Sequence, residues 1–141
     1  MLRRRSDAGD LLCLPDALYD NKVSEWMEQG YSREEAREKA GHQVAVPGTS
    51  EHQLGLAVDI VDVNYQLLDT NQENTAVQKW LLENSWRYGF ILRYPKGAEE
   101  KTEITYEPWH WRYVGVENAA KINASGLCFE DYIAALQQIA G

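Results

Sequence analysis

The stretch Ser50-Glu51-His52-Gln53-Leu54-Gly55-Leu56-Ala57-Val58-Asp59 constrains this chain most, taken together with Glu107-Pro108-Trp109-His110 near its far end. Two imidazoles and one aspartate are the donor set of a catalytic zinc, three protein ligands with a fourth position kept for water. Glu107, three residues before His110, adds a carboxylate close enough to take a proton from that water. The chain has only three histidines, and two of them fall in these segments. A fold built from this sequence must therefore bring residues distant along the chain to one point.

Each residue has a plainer reading too. A charged aspartate within the apolar run Leu56 to Val63 is costly unless something pairs with it. An arginine or a metal ion would serve Asp59 equally well on that ground alone. The metal gains because His52 lies upstream with Gly55 and Ala57 between, small residues that let a loop close around an ion. His110 alone would be a half-buried histidine among aromatics. Beside Glu107, with Pro108 bending the chain between them, it reads as a ligand next to its base. His42 has no such company and reads as a loop residue. Glu51 reads as a solvated side chain. Ser50 either caps a turn or hydrogen-bonds a substrate.

The bulk properties exclude several classes. With 141 residues the chain is one domain by length and buries a core without disulfides. Its 44% hydrophobic content and five tryptophans are those of a globular protein. A net charge of -8 argues against nucleic acid, whose phosphates call for clustered Lys and Arg. The basic run Arg3-Arg4-Arg5 reads as a frayed end. Two cysteines, Cys13 and Cys128, make neither a disulfide framework nor a C-x-x-C metal pair. No segment approaches the roughly 20 apolar residues of a membrane span.

Periodicity places the motifs. Pro15 opens a helix on which Tyr19, Val23, Trp26 and Met27 share a face and which ends at Gly30. Ser32-Arg33-Glu34-Glu35 is a capping box starting a short helix that Gly41 closes. Pro47-Gly48-Thr49-Ser50 is turn chemistry, so His52 comes at a loop-to-strand junction. Leu56 to Val63 is expected as a buried strand with Asp59 in its middle. Thr75 caps a helix whose Val77, Trp80, Leu81, Asn84 and Tyr88 fall on one side and which Gly89 stops. Phe90 to Tyr94 and Trp109 to Val114 read as strands, the latter with His110, Arg112 and Val114 on the face opposite Trp109, Trp111 and Tyr113. Glu117 to Asn123 and Phe129 to Ile139 read as closing helices. This order predicts an α+β domain with helices packed against a small antiparallel sheet.

Ser-x-His-x-x-Gly-x-Ala-x-Asp at Ser50 to Asp59, followed by Glu-x-x-His at Glu107 to His110, resembles the VanY-type D-alanyl-D-alanine carboxypeptidases. That family belongs to a wider group of zinc peptidases including D,D-dipeptidases, phage endolysins and the hedgehog signalling domain. The likeness also covers Tyr88-Gly89-Phe90-Ile91-Leu92-Arg93-Tyr94-Pro95 and Tyr106 to Gly115, and runs from about Leu18 to Tyr132. By position it implies a hedgehog/D,D-peptidase-like fold over residues 17–141, zinc on His52, Asp59 and His110, and Glu107 as general base. It also implies substrate contacts from Ser50, Gln53 and Trp109. The implied substrate is the D-Ala-D-Ala end of a peptidoglycan stem peptide, and the implied setting is the bacterial cell envelope.

The resemblance fails in residues 1–16. The family carries a catalytic arginine in a Ser-x-Tyr-Arg segment ahead of Leu-Tyr-Asp-Asn-Lys, here Leu18 to Lys22, and no such segment precedes it. The start reads as truncated or replaced, with Arg3, Arg4 or Arg5 as substitutes only under a different local fold. Three functions follow: a zinc D,D-carboxypeptidase; a D,D-dipeptidase or stem-peptide endopeptidase on the same scaffold; or a zinc-binding module impaired in catalysis. The missing arginine favours the last, and the intact Glu107 opposes it.

Overall fold

Residues 14–44, 46 and 48–140 are described by the structure, a computed structural model, with the side chains of residues 14–17 outside the description. The expectations for Arg3, Arg4, Arg5 and the segment before Leu14 therefore lie outside the described residues. The chain divides into two compact units, one up to Ser50 and one from Glu51 onward. Among the described residues no helix is long and apolar enough to cross a membrane.

The described residues of the first unit form a helix pair. α1 spans Leu14–Glu28, with Pro15 in the first turn, where its missing N–H costs nothing. α2 spans Arg33–Gly41 and starts as expected: the Ser32 hydroxyl accepts from the Glu35 N–H while the Glu35 carboxylate accepts from the Ser32 N–H. Val23 packs on Ala36 and Ala40, both fully buried, with Tyr19 and Trp26 flanking them. Met27, expected on that face, is instead 45% exposed. The Lys39 ammonium lies 5.0 Å from the Trp26 ring centroid and 4.5 Å from that of Tyr31, a cation–π contact at this edge.

The second unit is built on three short antiparallel strands, β1 Ala57–Asp59, β2 Phe90–Leu92 and β3 His110–Tyr113, in the order β1-β3-β2. The register sets Ala57 opposite Arg112, Val58 opposite Trp111 and Asp59 opposite His110. On the other side of β3, Phe90 faces Tyr113 and Leu92 faces Trp111. β1 is shorter than the strand expected over Leu56 to Val63. Its pairing stops at Asp59 because its partner β3 begins at His110, and further on the Asp62 carboxylate accepts from the Asn64 N–H and turns the chain, leaving Asp62 and Tyr65 in an isolated bridge. Asp59 thus stands at the end of the strand rather than in its middle. Gln72, wholly buried, holds the loop that follows by donating to the carbonyls of Tyr65 and Leu67 and accepting from the Asp62 N–H.

Helices pack on this sheet. α3 spans Ala76–Asn84 behind a Thr75 cap, continues as a 3-10 turn over Ser85–Tyr88 and stops at Gly89, as its sequence predicts. Gly89 has φ 86°, and a Cβ there would meet the Tyr113 ring at 2.6 Å, so glycine is required both for conformation and for space. The expected apolar face of α3 fails at Trp80 and Tyr88, which are 50% and 61% exposed. The inward positions are polar, Gln78 and Ser85. α4 is the single turn Glu99–Thr102. α5 (Val116–Ser125) and α6 (Phe129–Ala140) supply Ala119, Ile122 and Tyr132 to a core around Ile91, with Trp86, Val114 and Phe129 packed at its margin.

Gln78 ties α3 to the sheet. Its amide nitrogen donates to the Ile60 carbonyl, one residue past Asp59, and its oxygen accepts from the indole N–H of Trp111, one residue past His110. Trp111 and Gln78 are each about 1% exposed, so neither bond has water as a substitute. Gln78→Leu leaves the Ile60 carbonyl and the Trp111 N–H unpaired. It is expected to destabilise the fold by about 2–4 kcal/mol in urea melts; a loss within about 0.5 kcal/mol would contradict this bridge.

Candidate metal centre

His52 is delivered by a turn in which the N–H groups of Leu54 and Leu56 both return to the Glu51 carbonyl and Gly55 N–H returns to His52. Gly55 closes it at φ 67°, a left-handed conformation that suits glycine. The His52 Nδ1–H donates to the Ala57 carbonyl at 3.2 Å. A carbonyl only accepts, so this contact fixes the hydrogen on Nδ1 and turns Nε2 toward Asp59 Oδ1, 3.2 Å away. Asp59 and His110 are partners across β1 and β3, which puts His110 Nδ1 at 3.4 Å from the same oxygen. Glu107 lies in the turn entering β3, its N–H bonded to the Tyr94 carbonyl and its carbonyl accepting from the His110 N–H. Its Oε2 is 3.6 Å from His110 Nδ1.

The centre is closed on one side and open on the other. His110, Glu107 and Glu51 keep 7%, 12% and 12% of their side chains exposed, whereas His52 and Asp59 keep 41% and 33%. The Tyr94 ring lies 4.8 Å from that of His110, on the closed side. Burial pushes the Tyr94 hydroxyl up to about 12, with the Glu51 charge adding to it, so it stays a donor at neutral pH.

The donors fit a metal. Tetrahedral coordination with bonds of about 2.0–2.1 Å places ligand atoms about 3.3–3.4 Å apart. Asp59 Oδ1 stands at 3.2 Å and 3.4 Å from the two imidazole nitrogens, and all three donors lie within 4.8 Å of one another. Burial would by itself hold Asp59 up, but hydrogen bonds from His110 and His52 overcome it and keep the carboxyl well below the usual range, hence anionic. Two nitrogen donors and one anionic oxygen suit zinc.

Of the residues singled out in the sequence, the structure brings together His52, Asp59, His110 and Glu107. Gln53 is exposed in the same turn as His52, and Trp109 is partly buried with its carbonyl accepting from Ile60 N–H. Ser50 is the last residue of the first unit. Among the described residues the ion-pair partners of Asp59 are two histidines, not the arginine entertained for it.

Glu51 is the main correction. Expected in solvent, it is nearly buried, with Oε1 at 2.7 Å from Arg93 Nε and 2.9 Å from Arg112 Nη1, and Oε2 at 3.5 Å from His110 Nε2. Arg93 continues to Glu130 of α6 at 2.7 Å. Burial would raise Glu51, but His110 and the two guanidiniums bring it down to about 2. The signal was in the sequence: Arg93 follows the apolar run Phe90 to Leu92 and Arg112 stands between Trp111 and Tyr113, where each charge needs a partner.

A small antiparallel sheet thus presents two imidazoles and an aspartate to one point, beside a buried carboxyl, an arrangement that can hold a metal ion. A family model described as VanY, D-alanyl-D-alanine carboxypeptidase, matches residues 16–116. The chain is 49% identical over 116 residues to a D-alanyl-D-alanine carboxypeptidase of Enterococcus faecalis, covering 82% of this chain and 41% of that protein. Among solved structures, VanYB in complex with D-Alanine-D-Alanine superposes with a TM-score of 0.75 at 49% identity, covering 85% of this chain and 64% of that one. A mutant of the vancomycin resistance D,D-pentapeptidase VanY in complex with Zn(II) superposes with a TM-score of 0.72 at 48% identity, covering 84% and 64%. The chain belongs to the VanY D-alanyl-D-alanine carboxypeptidase family. It spans less than half the length of the curated relatives it matches.

The protein groups alone set a pH dependence for protein stripped of metal by a chelator. Burial raises Glu107 from 4.5 to about 7, the His110 charge opposing and the Asp59 charge adding. For His110 burial acts downward, but hydrogen bonds to Asp59 and Glu51 and the Glu107 charge outweigh it and lift the imidazole from 6.5 to about 9. Both folded values lie above the unfolded ones, so both groups stabilise the fold when protonated. The Glu107 contribution is full below 4.5 and gone above about 7; that of His110 is full below 6.5 and gone above about 9. The Tm of chelator-treated protein is therefore expected to fall between pH 5 and pH 9. A Tm that is flat or rising over that window would contradict the pairing.

Proposed function

We propose that this chain is the catalytic part of a zinc-dependent D-alanyl-D-alanine carboxypeptidase, which removes the terminal D-alanine from a peptidoglycan stem peptide. The observation that carries the reading is the convergence of His52 Nε2, Asp59 Oδ1 and His110 Nδ1, with the Glu107 carboxyl 3.6 Å from the last of them. The family, and relatives solved with D-Alanine-D-Alanine and with Zn(II), support the substrate and the metal.

His52, Asp59 and His110 would hold zinc, which supplies Lewis acidity and a water made acidic at neutral pH. Glu107 acts as the base. It takes the proton of the attacking water and returns it to the leaving amine of D-alanine as the peptide bond breaks. Burial suits it to this role, because a desolvated carboxylate is readier to take up a proton than one in water. The open side at His52 and Asp59 is where a peptide end can enter. Ser50, Gln53 and Trp109 are the residues proposed to hold it.

The test is incubation of zinc-loaded protein with a peptide ending in D-Ala-D-Ala. D-alanine is expected to appear, to stop on chelation and to return with added zinc. Glu107→Gln is expected to lower release by about 10²–10⁴-fold with zinc content unchanged. Full activity in that variant would remove Glu107 as the base. Release of the dipeptide D-Ala-D-Ala in place of D-alanine would make the protein a D,D-dipeptidase.

A further inference from the structure

His110 is held from two sides. Its Nδ1 faces Asp59 and Glu107, and its Nε2 faces Glu51. An imidazole can present either nitrogen to a metal, and what settles the choice is the group bonded to the other one. The two oxygens of Glu51 have separate duties. Oε1 is taken by both guanidiniums, Arg93 at 2.7 Å and Arg112 at 2.9 Å. Oε2 is left for the imidazole. The clamp is itself anchored, since Arg112 lies on β3 two residues from His110 and Arg93 reaches Glu130 on α6.

We propose that Glu51, clamped by Arg93 and Arg112, is a positioning residue for His110: it accepts the Nε2 hydrogen, fixes the ring's orientation and commits Nδ1 to the metal. This rests on the reading that His52, Asp59 and His110 hold zinc. The clamp makes the carboxylate's charge matter in an unusual way. In Glu51→Gln the two guanidiniums claim the single amide oxygen, and the amide NH2 is turned toward His110 Nε2. An NH2 group can only donate, so it demands a lone pair on Nε2 and moves the hydrogen to Nδ1, the atom the metal needs. An isosteric change with the same packing therefore works against the metal. A role in packing alone predicts the opposite, that glutamine is harmless and alanine is not.

The experiment is a zinc competition titration against a chromophoric chelator on the full chain, for wild type, Glu51→Gln and Glu51→Ala, with folding checked by circular dichroism. Glu51→Gln and Glu51→Ala are each expected to raise the Kd for zinc by about 10–100-fold. Glutamine is expected to be no better than alanine. Zinc bound by Glu51→Gln as tightly as by wild type would overturn the proposal while leaving the metal site standing. Failure of wild type to bind zinc would sink the metal site and this inference with it. A second measurement needs no variant: long-range ¹H–¹⁵N spectra of zinc-loaded wild type should show His110 protonated at Nε2 and ligated at Nδ1. The reverse pattern would also overturn it.

Discussion

Pairing of Asp59 with His110 across β1 and β3 is the constraint on which the rest of this centre depends. It puts a carboxylate and an imidazole from opposite parts of the chain within 3.4 Å of each other. His52 is then brought in by a tight turn that leads directly into β1, and Glu107 by the turn that leads into β3. A slip of one residue in this register would send one of the two partners to the other face of the sheet. The strands are only three or four residues long, so their pairing has few bonds of its own. Gln78 supplies a further tie at this point, bonding the residue that follows each partner.

Two glutamates flank His110 and differ in character because their neighbours differ. Glu51 has two guanidiniums on one oxygen and is held down near 2. Glu107 is equally buried but is paired with no arginine among the described residues, and burial holds it near 7. One carboxylate is thereby fixed as a permanent anion, suited to orienting a ring. The other is poised to exchange a proton. Environments that push two like groups apart in this way are how a site assigns an orienting role to one and an acid–base role to the other. The same division explains why the centre tolerates Asp59, Glu107 and Glu51 around one imidazole: Arg93 and Arg112 offset the negative charge.

The convergence of the candidate residues was legible in the sequence because a metal site calls for particular residue types and the local turns set their spacing. His52, Asp59, His110 and Glu107 needed no structure to be named, nor did the Ser32 and Thr75 caps or the stop at Gly89. Glu51 was misread, since its neighbours are 42 and 61 positions away and nothing local marks it as buried. The end of β1 was missed because it is set by where its partner β3 begins, at His110, and the apolar run Leu56 to Val63 does not report that. Trp80 and Tyr88 share one side of the expected helix with Val77 and Leu81, yet both are exposed, and the sheet meets α3 through the amide of Gln78. Long-range charge pairing and buried amides are tertiary choices, and hydrophobic periodicity does not report them.

The account is tested most directly by X-ray absorption at the zinc edge of protein loaded with one equivalent of the metal. It predicts only nitrogen and oxygen neighbours at about 2.0–2.1 Å, with outer-shell scattering from two imidazoles. A sulfur neighbour at about 2.3 Å, or scattering from fewer than two imidazoles, would contradict it.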